Sequence, residues 1–129
     1  MTLLDTDASK DVFITGISGF LGSHLADAFI EDGHTVAGND NFSGGYESNI
    51  PEEAEFYHVD CKDVWDMKEA VAGADVVYHT AALAYEGLSV FSPARINESI
   101  YQSTTATLAA AADAGVDRFV YCSSMSRYG

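Results

Sequence analysis

Three glycines at three-residue spacing, placed at the end of a short apolar run, restrict this chain more than anything else in it. The stretch reads Val12-Phe13-Ile14-Thr15-Gly16-Ile17-Ser18-Gly19-Phe20-Leu21-Gly22. Val12 to Thr15 is β-branched or aromatic and too short for a helix, so it predicts a buried strand. The segment beyond the glycines is apolar and amphipathic to about Glu31, which predicts a helix over 20–32. In such a strand-to-helix turn Gly16 allows the tight turn, Gly19 lets a ligand approach the backbone, and Gly22 lets helix and strand pack closely. The helix start then offers free N–H groups and the positive end of its dipole to an anion. A glycine-rich turn between two core elements has the same spacing, so the motif takes its meaning from the residues downstream of it.

Downstream stand Gly33 and a second apolar run, His34 to Asn39, ending at Asp40. Asp40 lies 24 positions after Gly16, close to the roughly 20-residue separation of the acidic residue that takes adenosine ribose hydroxyls. A carboxylate there accepts hydrogen bonds from a ribose diol and repels a 2′-phosphate, which predicts NAD rather than NADP.

Strand and helix signals alternate along the rest of the chain. Strands are predicted over 11–16, 34–39, 54–59, 75–79 and 118–123, and helices over 20–32, 63–72 and 93–114. That pattern gives an α/β fold of the Rossmann type, a doubly wound parallel sheet in strand order 3-2-1-4-5, cut off after the fifth strand. Residues 1–10 read as a loose leader and 11–129 as one incomplete dinucleotide-binding domain. Ligands in such sheets bind at the carboxyl ends of the strands, where the strand order reverses. Polar residues gather at those ends: the glycine loop, Asp40, Asp60, His79-Thr80-Ala81-Ala82 and Ser123-Ser124. Asp60 is placed to accept from the adenine amino group or to cap the next helix, two roles that are compatible. Asn41 to Gly45 suits wrapping of the adenosine, and 44–53 reads as a surface excursion. Pro93 fits a first helical turn, and Gly115 a helix stop. The run Ala109 to Ala112 suits either a close helix neighbour or simple packing on the sheet.

Composition excludes several classes. The net charge is −14, with 20 acidic residues against six lysines and arginines. Nucleic acid and anionic membranes need a basic face, so neither is an expected partner. No apolar stretch approaches the roughly 20 residues of a membrane-spanning helix. The start of the chain lacks a basic-then-apolar signal. Cys61 and Cys122 have no metal-ligand spacing and read as reduced thiols of a cytoplasmic protein, and no metal is expected. Acidity spread along the whole chain resembles that of halophilic proteins.

The motifs together resemble the extended short-chain dehydrogenase/reductase family, the NAD-dependent nucleotide-sugar epimerases and dehydratases, and within it the UDP-glucose 4-epimerase-like members. The likeness is carried by Thr15 to His24, Asp40 to Gly44, Val59-Asp60, His79 to Ala82, Ser89-Val90 with Pro93, and Arg118 to Ser124 through Tyr128-Gly129. It implies an NAD site lined by Gly16, Gly19, Phe20, Leu21, Gly22, Asp40, Asn41, Ser43, Gly44, Asp60, Cys61, Ala81, Ala82 and Ala84, with Ser99 a further contact. It implies a nucleotide-sugar substrate, transient hydride transfer to NAD, and Ser124 as the catalytic hydroxyl beside the sugar. The family's Tyr-x-x-x-Lys pair, its general base, is expected further along than Gly129; neither Tyr121 nor Tyr128 is followed by a lysine four positions on within these 129 residues. Where the family has Asn and then Gly-Thr after Pro93, this chain has Ile100 and then Ser103-Thr104. The chain alone is therefore expected to lack turnover. A non-catalytic NAD(H)-binding or sensing module is the alternative, and a structural piece that binds nothing is a third reading. An unpaired fifth strand predicts a homo-oligomer.

Overall fold

The alternation predicts one parallel sheet, and the computed structural model, which describes Leu4, residues 7–85 and residues 87–128, contains it. Residues 1–3, 5 and 6 of the expected leader lie outside the described residues, as do Glu86 and Gly129. The strands are β1 (Asp11–Thr15), β2 (Thr35–Asn39), β3 (Glu55–Tyr57), β4 (Val76–His79) and β5 (Arg118–Tyr121). All pairs are parallel and the order is β3-β2-β1-β4-β5. Along central β1 the side chains alternate between two buried layers, as the strand period of two requires. Val12 and Ile14 pack with Ile17, Ala26, Phe29 and Val36 on the side of helix α1 (Phe20–Glu31). Phe13 packs with Met67, Val71, Val77, Ala110 and Ala111 on the other side. That second layer is roofed by α2 (Val64–Ala70) and by the longer helix that precedes β5. Leu4 is also buried, against the α1-side layer.

Three local expectations change. The single helix over 93–114 is three segments, α4 (Pro93–Ile96), a π-helical stretch Asn97–Gln102 and α5 (Ser103–Asp113), and a separate short helix, α3 (Leu88–Phe91), precedes them. Hydroxyls explain the widened turn, because Ser103 Oγ donates to the Glu98 carbonyl five residues back at 3.0 Å and Thr104 Oγ1 to the Ile100 carbonyl at 2.6 Å. The N-cap of α2 is Asp63, whose carboxylate accepts from the N–H groups of Trp65 and Asp66 at 3.1 Å, so Asp60 does not cap that helix. Only half of the alanine run packs: Ala110 and Ala111 are buried in the layer they share with Phe13, Met67 and Val77, and Ala109 and Ala112 face outward.

Two glycines of the turn are demanded by packing. Gly16 has φ +70°, and a Cβ there would stand 2.9 Å from the Ala81 Cα. A Cβ on Gly22 would run into the Gly16 carbonyl, so α1 can rest on the turn only without one.

A closed hydrogen-bond chain joins β1 to β4 at their carboxyl ends. Thr15 Oγ1 accepts from the N–H groups of Thr80 and Ala81, both at 3.1 Å. Its proton therefore goes to His79 Nδ1, 2.9 Å away. Thr104 Oγ1 donates to the Ile100 carbonyl, so its lone pair takes the proton of His79 Nε2 at 3.0 Å. These partners assign the neutral Nε2–H tautomer. His79 is 2% exposed, and burial pushes its pKa from 6.5 down to about 4. A protonated ring would need an acceptor at Nδ1, and Thr15 has no lone pair left to give.

Two outcomes are expected. Gly22→Ala lowers unfolding free energy by about 1–3 kcal/mol in urea titrations, through overpacking against a backbone carbonyl. His79 is neutral in both states above pH 6.5; as pH falls to about 4 only the unfolded chain takes up its proton. Stability falls in that window by about 3 kcal/mol from this residue, and the excess slope over His79→Gln measures it.

Candidate functional site

The strand order reverses between β1 and β4, and an open cleft of about 540 Å³ lies outside the strand ends there. That volume falls within the ordinary range of small-molecule sites. All fifteen residues expected around a cofactor, from Gly16 to Ser99, line this one cleft. The glycine loop forms its floor. The N–H groups of Gly16 and Ile17 donate to the Asn39 carbonyl at 2.8 and 3.1 Å, tying the loop to β2. Gly19 is the N-cap of α1 and brings no side chain to the first-turn amides, and that turn holds no acidic residue. The N–H groups of Phe20, Leu21 and Gly22, which a helix start leaves without helical partners, are thus offered to an anion in the cleft. A Cβ on Gly19 would meet only the Gly16 carbonyl oxygen, at 3.3 Å, so protein packing demands little there and the open side faces the cleft.

Asp40 stands at the end of β2, 8% exposed. Its Oδ2 accepts from the Ser18 N–H at 3.1 Å and its Oδ1 from the Phe42 N–H at 2.9 Å. Each oxygen keeps acceptor capacity for a further donor. Phe42 reaches its position with φ +59°, a left-handed conformation rare for a bulky residue. Its ring packs on Phe56 and His58 at centroid distances of 5.4 and 5.0 Å, contacts that hold the strained turn. Asn41 Nδ2 donates to Asp60 Oδ2 at 2.9 Å, while Asn41 Oδ1 accepts from the Ser43 N–H at 3.0 Å. Asp60 Oδ1 accepts from the Lys62 N–H at 2.8 Å. The carboxylates at the ends of β2 and β3 are thus both fixed by backbone amides.

Cys61 is buried beneath the cleft, with Asn39 Nδ2 at 3.3 Å from its sulfur, and burial pushes its thiol pKa up. Ser99, on the π-helical stretch, donates to the Ile96 carbonyl at 3.3 Å. Ser124 is the exception among the expected residues. It is exposed, accepts the Ser126 N–H at 3.1 Å, and does not line the cleft. Both cysteines are free thiols, and among the described residues no acidic, His or Cys cluster could hold a metal. Among them also, no helix is long and apolar enough to cross a membrane.

Sequence reasoning missed several lining residues, chiefly Lys62, Arg95, Glu98 and Ser103. Lys62 Nζ lies between Asp60 and Glu98, at 3.9 and 3.7 Å, and links the β3 end to the π-helical stretch. The hydroxyl at Ser103, where the resembled family carries glycine, was the available signal for that widened turn.

Comparisons with known proteins agree with this geometry. The sequence profile of the NAD dependent epimerase/dehydratase family matches residues 12–129. The chain is 34% identical over 124 residues to a UDP-glucose 4-epimerase of Streptomyces lividans, covering 94% of this chain and 38% of that protein. Among solved structures, UDP-glucose 4-epimerase from Brucella ovis in complex with NAD superposes with a TM-score of 0.88 at 29% identity, over 94% of this chain and 38% of that one. UDP-N-acetylglucosamine 4-epimerase from Methanobrevibacter ruminantium, in complex with UDP-N-acetylmuramic acid, gives 0.86 at 32% identity over 94% and 40%. The chain thus spans well under half the length of these relatives. With the profile matching from β1 to the last residue, the chain belongs to the NAD-dependent epimerase/dehydratase family.

Proposed function

We propose that this chain is the NAD-binding part of a nucleotide-sugar 4-epimerase. One observation carries the reading: the Asp40 carboxylate accepts the Ser18 N–H, so the ribose acceptor and the amide cradle for the diphosphate are parts of one rigid unit. The cleft fits the dinucleotide in its donor set. Free helix-start amides face the diphosphate, Asp40 the adenosine ribose diol, and Asp60, set beside Asn41, the adenine amino group. Held there, NAD would supply reversible acceptance of a hydride from a sugar carbon. The rest of the work falls to the protein. Ser124 Oγ uses a lone pair on the Ser126 N–H, which leaves its own proton free to donate to the sugar hydroxyl. Tyr121 does not match the family's general base, because Met125 stands where the paired lysine would be.

The wild-type chain is expected to bind NAD in calorimetry and NADP more weakly. Asp40→Ala loses charge-assisted hydrogen bonds to the ribose and weakens NAD about 10–100-fold. No measurable binding by the folded wild-type chain overturns the reading. The 129-residue chain supplied with NAD and UDP-glucose is expected to show no epimerisation in a coupled galactose assay, because the general-base contribution of about 10²–10⁴ is missing. Robust turnover overturns that assignment.

A further inference from the structure

The segment after Asp40 does more than border the cleft. Ser43, Gly44 and Gly45 lie along its rim. The chain then passes through a 3-10 turn, Glu47–Asn49, and rests on the back of the glycine loop. Two donors from this strap converge on one acceptor. Asn49 Nδ2 donates to the Ser18 carbonyl at 2.9 Å, and the Tyr46 N–H donates to the same oxygen at 3.2 Å. Gly45 is pressed so closely on Ser18 that a Cβ there would meet its hydroxyl and carbonyl groups. Ser18 is therefore fully buried although it sits in a loop.

The Ser18 carbonyl shares a peptide plane with the Gly19 N–H, which donates to the Gly16 carbonyl at 3.0 Å. The plane before it carries the Ser18 N–H, held by Asp40 Oδ2. The Ser18–Gly19 plane is thus clamped at both its carbonyl and its N–H, and the plane before it at its N–H. Peptide planes next to glycine otherwise turn at little cost, and turning this one would unseat Gly19 from the start of α1. The Tyr46 amide would be present with any residue there but proline; the Asn49 side chain is the donor that the sequence chooses.

We propose that Asn49 is a positioning residue for the dinucleotide: its hydrogen bond to the Ser18 carbonyl sets the amide cradle in the arrangement the diphosphate requires. The inference rests on the NAD reading of the cleft. Asn49 does not line the cleft, so it acts through Ser18.

The test combines calorimetry with NAD, ADP and adenosine and residue-resolved amide exchange on the whole chain. Asn49→Ala and the isosteric Asn49→Asp are expected to weaken NAD and ADP about tenfold while leaving adenosine within about twofold. Exchange at Ser18 and Gly19 should quicken while the amides of β1 and β4 keep their protection, which a merely global loss of stability would not produce. Either variant binding NAD like the wild type overturns the proposal, as does an equal loss of NAD and adenosine. In the wild type, the Asn49 side-chain amide protons should exchange more slowly than free side-chain amides; exchange at the free rate overturns the proposal even if neither variant folds. A folded wild-type chain that binds no NAD overturns both this and the cleft reading, whereas NAD binding indifferent to Asn49 overturns this one alone.

Discussion

The hydroxyl of Thr15 holds the two central strands together at the point where their chains must separate. Parallel neighbours in a doubly wound sheet send their following segments to opposite sides, and the gap this leaves is the cleft. A gap that opened further back would strip β1 and β4 of their ladder. Thr15 prevents this by taking the two amides that come after β4 and giving its proton to His79, while the Thr80 hydroxyl closes on the Thr15 carbonyl at 2.6 Å. The same contact seats Ala81 over Gly16, where only a glycine fits. Sheet cohesion and cleft shape are therefore one set of hydrogen bonds. His79 extends that set to Thr104 on α5, so the helix whose first residue, Ser103, lines the cleft is tied to β4.

The features that could be read from the sequence were those that local chemistry decides. The glycine turn, the five parallel strands and their order come from short apolar runs, turn residues and alternation with helices, and all are present. The gathering of Asp40, Asp60 and Ala81 at one side of the sheet comes from the rule that strand ends converge. The misses depend on geometry beyond the local sequence. Asp60 suits a cap by its place after the third strand, but the path of the chain into α2 gives that role to Asp63. The run from Pro93 to Asp113 has helical periodicity throughout, and the π-helical turn arises because side-chain hydroxyls of Ser103 and Thr104 capture carbonyls of the preceding turn. Phe42 carries no sequence mark of its left-handed backbone; the contacts that hold it come from Phe56 on β3 and His58 just beyond it. Lys62 meets Glu98 across the cleft through tertiary placement alone.

Charge shows why the architecture suits this chain. A protein of net charge −14 has few cations to spare for binding an anion, and only Lys62 and Arg95 among the described residues line the cleft as cations. Lys62 is already engaged by Asp60 and Glu98. Backbone amides at a helix start bind a diphosphate with fixed dipoles that do not depend on net charge or side-chain ionisation. They hold their orientation only if the loop is immobile, and a glycine-rich loop has little stiffness of its own. Rigidity must come from outside the motif: from Asn39 beneath, Asp40 on one flank, Ala81 above and the strap behind. The glycines make room for the ligand, and the residues around them hold that room open.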